Sequence, residues 1–361
     1  MASETVLNIA QRARTILADG PDSLDHAIGQ ALDEAFESHI GIAESREHQI
    51  LGEVKSVLSG YGPLTELINN PVIEEIWINS PEDIFIASRG KTIKLELSLS
   101  ALEVRQVVER MLRDSGRRLD RSEPFVDATL QDGSRLHVVI PDVTRDHWSV
   151  NIRKFPNFVY SLEDLVHKSS LSPALAEYLR EKFSRGVNIL VSGATQAGKT
   201  TLLCALLDVG AKTDRLVSVE ETFEIRTNYI DWVAMQARQA NLEGVGEISL
   251  RRLVKEAMRM RPSRLVIGEV RQAEALDLLI ALNSGVSGLC TIHANSAFEA
   301  LEKLKLLPLL VGENIPSLFV SQTVERTIGL VVHCELSSTG ERRVSQVIES
   351  VQMGVWQEVD L

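Results

Sequence analysis

The chain is 361 residues long, carries a formal charge of −12, and is 44% hydrophobic and 24% charged. That length suits two domains with a short extension, and that composition supports a sizeable buried core. The acidic balance counts against a general nucleic-acid binder, whose affinity comes from lysine and arginine on phosphates. It leaves room for a local basic patch.

No apolar run approaches the ~18 residues that cross a bilayer, and segments such as 306–311 are far shorter. The opening MASETVLNIAQRAR lacks the basic-then-apolar order of a secretory signal, so a cytoplasmic location is expected. Cys204, Cys290 and Cys334 stand far apart without metal-ligand spacing. They predict three reduced, buried core residues.

The first sixty residues hold ten acidic and four basic side chains, half of the net charge. Val6, Ile9, Ala10, Ala13 and Ile16-Leu17 have helical spacing, and Gly20-Pro21 interrupts it. Leu24 to Phe36 predicts a second helix and Glu44 to Leu58 a third. Residues 1–56 thus read as a helical extension, either a docking arm or a solvated cap.

From residue 57 to 158 the pattern is that of an α+β domain. Glu75 to Asn79 and Ile84 to Ala87 are short strand-like runs. Ala101 to Ser115 is an amphipathic helix with Leu102, Val107-Val108 and Met111-Leu112 expected on one side. Phe125 to Leu130 and Arg135 to Ile140 flank a glycine-containing connection typical of hairpins. Ser149 to Phe155 alternates again.

A helical connector over 161–185 leads into alternating strands and helices, the pattern of a mostly parallel α/β sheet. Expected strands are Asn188 to Ser192, Leu216 to Glu220, Arg264 to Gly268 and Leu289 to His293. Expected helices are Lys199 to Val209, Leu250 to Met260, Ala273 to Ser284 and Ala297 to Leu307.

The strongest chemical signal is Gly193-Ala194-Thr195-Gln196-Ala197-Gly198-Lys199-Thr200, which fits G-x-x-x-x-G-K-[ST]. It follows the apolar strand NILVS and opens the helix KTTLLCALL, which also brings Thr201 to the loop. The glycines let backbone N–H groups close round phosphates, and the helix N-terminus adds a favourable dipole. Lys199 is expected to reach the β- and γ-phosphates of ATP, and the Thr200 hydroxyl to bind Mg²⁺.

A nucleotide site also needs acids near metal and water. RLVIGE ends in Glu269, which could hold the metal or orient the nucleophile; LVSVEE ends in Glu220 and Glu221. Like charges set side by side call for a nearby cation, and Mg²⁺ suits. His293 ends LCTIH, where it could sense a γ-phosphate or simply pack.

Four ordered segments resemble the motifs of one family. The P-loop, VEETFEIR, RMRPSRLVIGEVRQAEALDLLIAL and SGLCTIHANS resemble the Walker A, Asp-box, Walker B and His-box of the type II/type IV secretion ATPase superfamily. GYGPLTELINNPVIEEIWIN, DGSRLHVVIP and SVNIRKF are similar to the N-terminal domain of its CpaF/TadA branch, the tight-adherence pilus assembly ATPases. The similarity spans about residues 57 to 335.

The resemblance implies a RecA-like P-loop NTPase domain over 159–361 and Mg-ATP hydrolysis in a homo-hexamer. It also implies inner-membrane platform proteins as partners. Glu269 becomes the Walker B glutamate, Glu220 and Glu221 the Asp-box acids, and His293 the His-box residue. Arg135 and Arg153 are placed to reach the γ-phosphate, with Arg238 and Arg261 as weaker candidates.

Three departures stand out: Gln196-Ala197 where the family usually has Gly-Ser, Glu221 where aspartate is common, and Ser263 for a frequent acid. The chain lacks a four-cysteine zinc module and the AIRNLIRE signature of retraction motors, which favours the CpaF-like branch. A conjugative type IV secretion ATPase stays open as the alternative. A DNA-translocating RecA-like motor and a non-hydrolysing scaffold are further ones.

Overall fold

The computed structural model describes the chain apart from residues 1–3, 20–23, 38–49, 52–53, 55–59, 89, 156–159, 211–213, 241–244, 312–313 and 361. The chain divides into two compact units. One takes in Met1–Ser88 and Thr92–Lys154, the other Arg89–Lys91 and Phe155–Leu361.

The first unit begins with α1 (Glu4–Asp19) and α2 (Leu24–Glu37). Their Val6, Ile9, Ala13 and Ile16 bury against Ala27, Ile28, Ala31 and Leu32, and Val54 joins the same cluster. Most of the third expected helix lies outside the described residues; residues 50, 51 and 54 are helical.

A six-stranded sheet follows, built from β1 (Ile73–Ser80), β2 (Asp83–Ser88), β3 (Lys91–Lys94), β4 (Phe125–Thr129), β5 (Arg135–Val139) and β6 (Ser149–Arg153), in the order β3-β2-β1-β6-β5-β4. The pairs from β2 through β4 are antiparallel. Alternation decides its two faces. Ile76, Ile78, Leu136, Val138, Val150 and Ile152 enter a core with two helices, α3 (Leu64–Asn69) and α4 (Ala101–Asp114). A Ser100–Glu103 capping box starts α4.

The buried positions of α4 are Val104, Val107, Val108, Met111 and Leu112. Leu102, expected among them, is 62% exposed. It sits two residues before Val104, about 200° round the helix at 3.6 residues per turn, so it faces away. The helix α3 and strand β3 are absent from the expected elements.

The second unit holds α5 (Leu162–His167) and α6 (Pro173–Ser184), then an eight-stranded sheet of order β14-β13-β12-β7-β11-β10-β8-β9. Its strands are β7 (Ile189–Gly193), β8 (Leu216–Glu220), β9 (Trp232–Gln236), β10 (Arg264–Val270), β11 (Ser287–Ile292), β12 (Leu330–Leu336), β13 (Arg342–Gln352) and β14 (Val355–Glu358). From β12 to β9 all neighbours are parallel, and β13 and β14 extend the sheet antiparallel.

Helices cover both faces of the parallel part, which is why its strands read as unbroken apolar runs. On one side α5, α6 and α7 (Lys199–Asp208) pack on Ile189, Val191, Val266 and Val332. On the other, α8 (Leu250–Ala257), α9 (Glu274–Asn283), α10 (Ala297–Leu306) and α11 (Ser317–Thr327) pack on Leu190, Ile267, Cys290 and Val331. All three cysteines are buried and free.

The helix expected over 250–260 ends as α at Ala257, then tightens into a 3-10 turn, Met258–Met260. Arg261 stops it in left-handed backbone, φ 55°, ahead of Pro262, which disfavours helix in the residue before it. Strand β9, helix α11 and everything from β12 onward add to the expected elements. None of the described helices is long and apolar enough to cross a membrane.

Candidate functional site

Parallel pairing brings the carboxyl ends of β7, β8, β10 and β11 to one edge of the second sheet, the usual place for ligands in such folds. The segment 193–198 links β7 to α7 there. Gly193 cannot carry a side chain, because a Cβ would lie 2.3 Å from the Cys334 carbonyl oxygen on neighbouring β12. Gly198 takes φ 92° as the N-cap of α7. Ala194 and Thr195 are exposed, Ala197 is buried, and Gln196, Thr200 and Thr201 are half-buried.

Gln196 has φ 62°, a left-handed conformation that costs a residue with a side chain roughly 1–2 kcal/mol relative to glycine. It is the third residue of a turn closed by the Ala197 N–H donating to the Ala194 carbonyl, 3.3 Å.

Lys199 is 8% exposed, and its Nζ donates to the carbonyls of Gly193 (3.0 Å) and Ala194 (2.8 Å). A cation folded back on its own loop is ready to exchange carbonyls for phosphate oxygens. Nζ also stands 3.4 Å from His293 Nδ1. On the far side of that ring, Nε2 lies 2.8 Å from Glu269 Oε1, off the line a hydrogen bond needs. Glu269 Oε2 accepts from Arg271.

Lys199, His293, Glu269 and Arg271 therefore form a continuous chain of polar side chains. Burial lowers the His293 pKa, the Lys199 charge adds to this, and Glu269 opposes it. The balance favours the neutral ring.

Glu220, at the end of β8, is 1% exposed. Its Oε2 accepts the backbone N–H groups of Glu224 and Ile225, each at 2.7 Å, and so caps the loop after β8. Burial pushes its pKa up to about 7 against these two bonds. Glu221 is exposed, and its charge reaches Arg271. The acid that accepts the Thr200 hydroxyl is Glu224, at 3.2 Å.

Neither Glu224 nor Arg271 stands among the residues singled out from the sequence. Both lie inside the quoted motifs, VEETFEIR and GEVRQ. No sequence signal singled out Glu224, since Glu221 also lies beyond the end of β8.

The site fits a magnesium–triphosphate on its own geometry. Glu220 Oε1 and Glu269 Oε1 are buried without a hydrogen-bond partner among the described residues. Orphaned carboxylate oxygens at this depth are costly unless a cation or an ordered water completes them. Thr200 and Glu224 supply a hydroxyl and an acid at the helix start.

Arg135 and Arg153 belong to the first unit. They are direct neighbours across β5 and β6, on the sheet face opposite the core. Arg135 donates to Asp127 Oδ1 at 3.2 and 3.4 Å, and His137 Nδ1 meets the same oxygen at 3.1 Å. Burial pushes Asp127 up, but the Arg135 and His137 charges outweigh it, leaving the carboxyl below its usual range. Arg238 donates to the Gly246 carbonyl and closes its own loop. Arg261 ends the 3-10 turn described above.

A family described as Type II/IV secretion system protein matches residues 57–352. A Mycobacterium tuberculosis protein named for conjugal transfer is 31% identical over 302 residues, covering 81% of this chain and 85% of the relative. The conjugal transfer protein TrbB of Rhizobium radiobacter is 28% identical over 286 residues, covering 78% and 84%. The X-ray structure of the ATPase DotB from Yersinia pseudotuberculosis superposes with a TM-score of 0.59 at 16% identity, covering 80% and 78%. At that identity the likeness concerns the fold.

Proposed function

Because the chain belongs to the type II/IV secretion system protein family and is an ATP hydrolase of it, we propose that it works as a cytoplasmic homo-hexameric motor. In this reading the second unit is a RecA-like P-loop domain that hydrolyses Mg-ATP. Movement of the first unit is then passed to inner-membrane platform proteins of a machine spanning the bacterial envelope. The observation that carries the reading is the polar chain from Lys199 through His293 to the orphaned oxygen of Glu269.

Backbone N–H groups of 194–198 cradle the phosphates, with Lys199 holding the β- and γ-phosphates and Thr200 and Thr201 closing the helix end over them. Mg²⁺, when bound, neutralises phosphate charge; Thr200, Glu220, Glu221, Glu224 and Glu269 are the residues that would hold it or its waters.

Glu269 orients the attacking water and accepts its proton at Oε1. His293 stands between Lys199 and that carboxylate, and in its neutral form does not compete for the proton. Arg135 and Arg153 neutralise charge developing on the γ-phosphate, a contribution that reaches roughly 10³–10⁵ in rate for the best arginines.

The finer assignment is a tight-adherence pilus assembly ATPase of the CpaF/TadA type, supported by the first-unit segments that resemble that branch. The relatives named for conjugal transfer favour a second reading, an ATPase of a conjugative type IV system. Deleting the gene separates the two: loss of surface pili with plasmid transfer intact supports the first, and the converse the second.

The core reading is tested by steady-state phosphate release with Mg-ATP, alongside light-scattering mass. Turnover in a hexameric fraction that falls at least about a hundredfold in both Lys199→Ala and Glu269→Gln is expected. Binding without turnover, even with membranes added, would leave a regulatory scaffold instead.

A further inference from the structure

Among the described residues, those with left-handed backbone that are not glycine are Ser169, Gln196 and Arg261, and of these only Gln196 sits in the phosphate loop. A side chain in that conformation persists only where its surroundings fix it. The turn offers one constraint, the Ala197 to Ala194 hydrogen bond. The second comes from far along the chain: Arg342 Nε donates to the Gln196 carbonyl at 2.8 Å. The stem of Arg342 also lies along Gly198, its Cδ 3.5 Å from where a Cβ would stand.

The donor is itself held firmly. Arg342 opens β13 and pairs with Leu336 at the end of β12. The turn between them is closed by Ser337 N–H on the Glu341 carbonyl (2.8 Å) and Gly340 N–H on the Ser337 carbonyl (3.0 Å). Strand β12 runs beside β7 in register, Cys334 opposite Gly193. The hairpin is thus bound to the strand that feeds the phosphate loop, and it reaches over to grip the loop's strained peptide.

We propose that Arg342 is a positioning residue that locks the Gln196 peptide in the left-handed state a glycine would adopt unaided. Nucleotide affinity then depends on the C-terminal hairpin. Arg342 acts through the loop and not on the nucleotide, and its importance follows from glutamine standing at 196. The proposal rests on the ATP-hydrolase reading of the loop and predicts a coupling that the reading alone does not.

The experiment is a double-mutant cycle on the full chain, reading the dissociation constant of Mg-ADP by calorimetry. In the native background, Arg342→Ala is expected to weaken binding about tenfold. In a Gln196→Gly background the same change is expected to cost less than about threefold, because glycine reaches the conformation without the clamp. Arg342→Lys, which lacks the Nε–H, runs the same cycle if the alanine variant melts early.

Equal losses in the two backgrounds would mean that Arg342 touches the nucleotide directly, and would overturn the proposal. No loss in either would overturn it as well. Lys199→Ala separates this from the underlying reading: if it binds Mg-ADP as tightly as the native chain, the phosphate-site assignment itself falls, and the clamp with it.

Discussion

The two sheets use the same alphabet of short strands and amphipathic helices, yet they put their chemistry in different places. In the second unit, helices cover both faces of the parallel sheet, so adjacent residues Ile189 and Leu190 enter two different cores. Polar function is pushed to the strand ends, where Lys199, Glu220, Glu269 and His293 gather. In the first unit the antiparallel sheet buries one face only. Its other face is free to carry Asp127, His137 and Asn151 in the middle of strands, with Arg135 and Arg153 at strand ends beside them. Double burial confines chemistry to an edge, while single burial offers a whole face.

The largest expected effects test that contrast directly. Ile189→Ala and Leu190→Ala should each lower unfolding free energy by about 2–4 kcal/mol, since both side chains are buried. In β5 the same truncation should cost that much at Leu136 and under about 1 kcal/mol at Arg135 or His137. Urea unfolding measures all five. An Arg135→Ala variant as unstable as Leu136→Ala would mean that the polar face is not free.

Burial at the strand ends has a second consequence, in the titration of Glu220. Its pKa is raised from 4.5 to about 7, chiefly by burial. Stability from that protonation is fully present below pH 4.5 and is lost as pH rises through 7. Between pH 5 and 8 the loss is about 2–3 kcal/mol by linkage. Glu220→Gln keeps the acceptor for the two backbone N–H groups and removes the titration. Melting curves without nucleotide or Mg²⁺ should therefore slope downward with pH more steeply in the native chain. Parallel slopes would show that Glu220 is already ionised at pH 5.

The same contrast explains what could be read from sequence. The four central parallel strands, β7, β8, β10 and β11, and the P-loop were legible because unbroken apolar runs before a glycine-rich loop, an acid or a histidine have few other meanings. Glu220 was visible as a strand-end acid, but its use as a loop cap was not, since that depends on where Glu224 and Ile225 turn their N–H groups. Glu224 and Arg271 lay in loops after strands, with no periodicity to mark them. The Arg342 contact spans 146 residues and carries no local pattern at all. Leu102 misled because helix register must be set by its neighbours, and Val104 sets it differently.

Glu224 gives a sharper test of the strand-end cluster. As acceptor of the Thr200 hydroxyl, its change to alanine should lower kcat/KM for Mg-ATP about tenfold. Glu221→Ala, at an exposed position, should change it less than about threefold. The reverse order would move the main metal-side contact from Glu224 to the acid pair at 220–221.

The smallest effect belongs to the open face. Asp127 is held below its usual range by Arg135 and His137, although burial opposes them. The sign is opposite to that of Glu220: this stability is present above the ordinary aspartate pKa and is lost as pH falls through the lowered one. Both partners are about a third exposed, so solvent screens the pair and Asp127→Asn should cost under about 1 kcal/mol at pH 7. Once pH falls below that lowered pKa the variant and the native chain should converge. The substitution also releases Arg135 from its carboxylate. If Arg135 acts on phosphate as proposed, turnover in Asp127→Asn should stay within about twofold of native while Arg135→Ala falls at least tenfold. Equal losses in the two variants would mean that the pair serves the sheet, and that the arginine on the open face has no separate task.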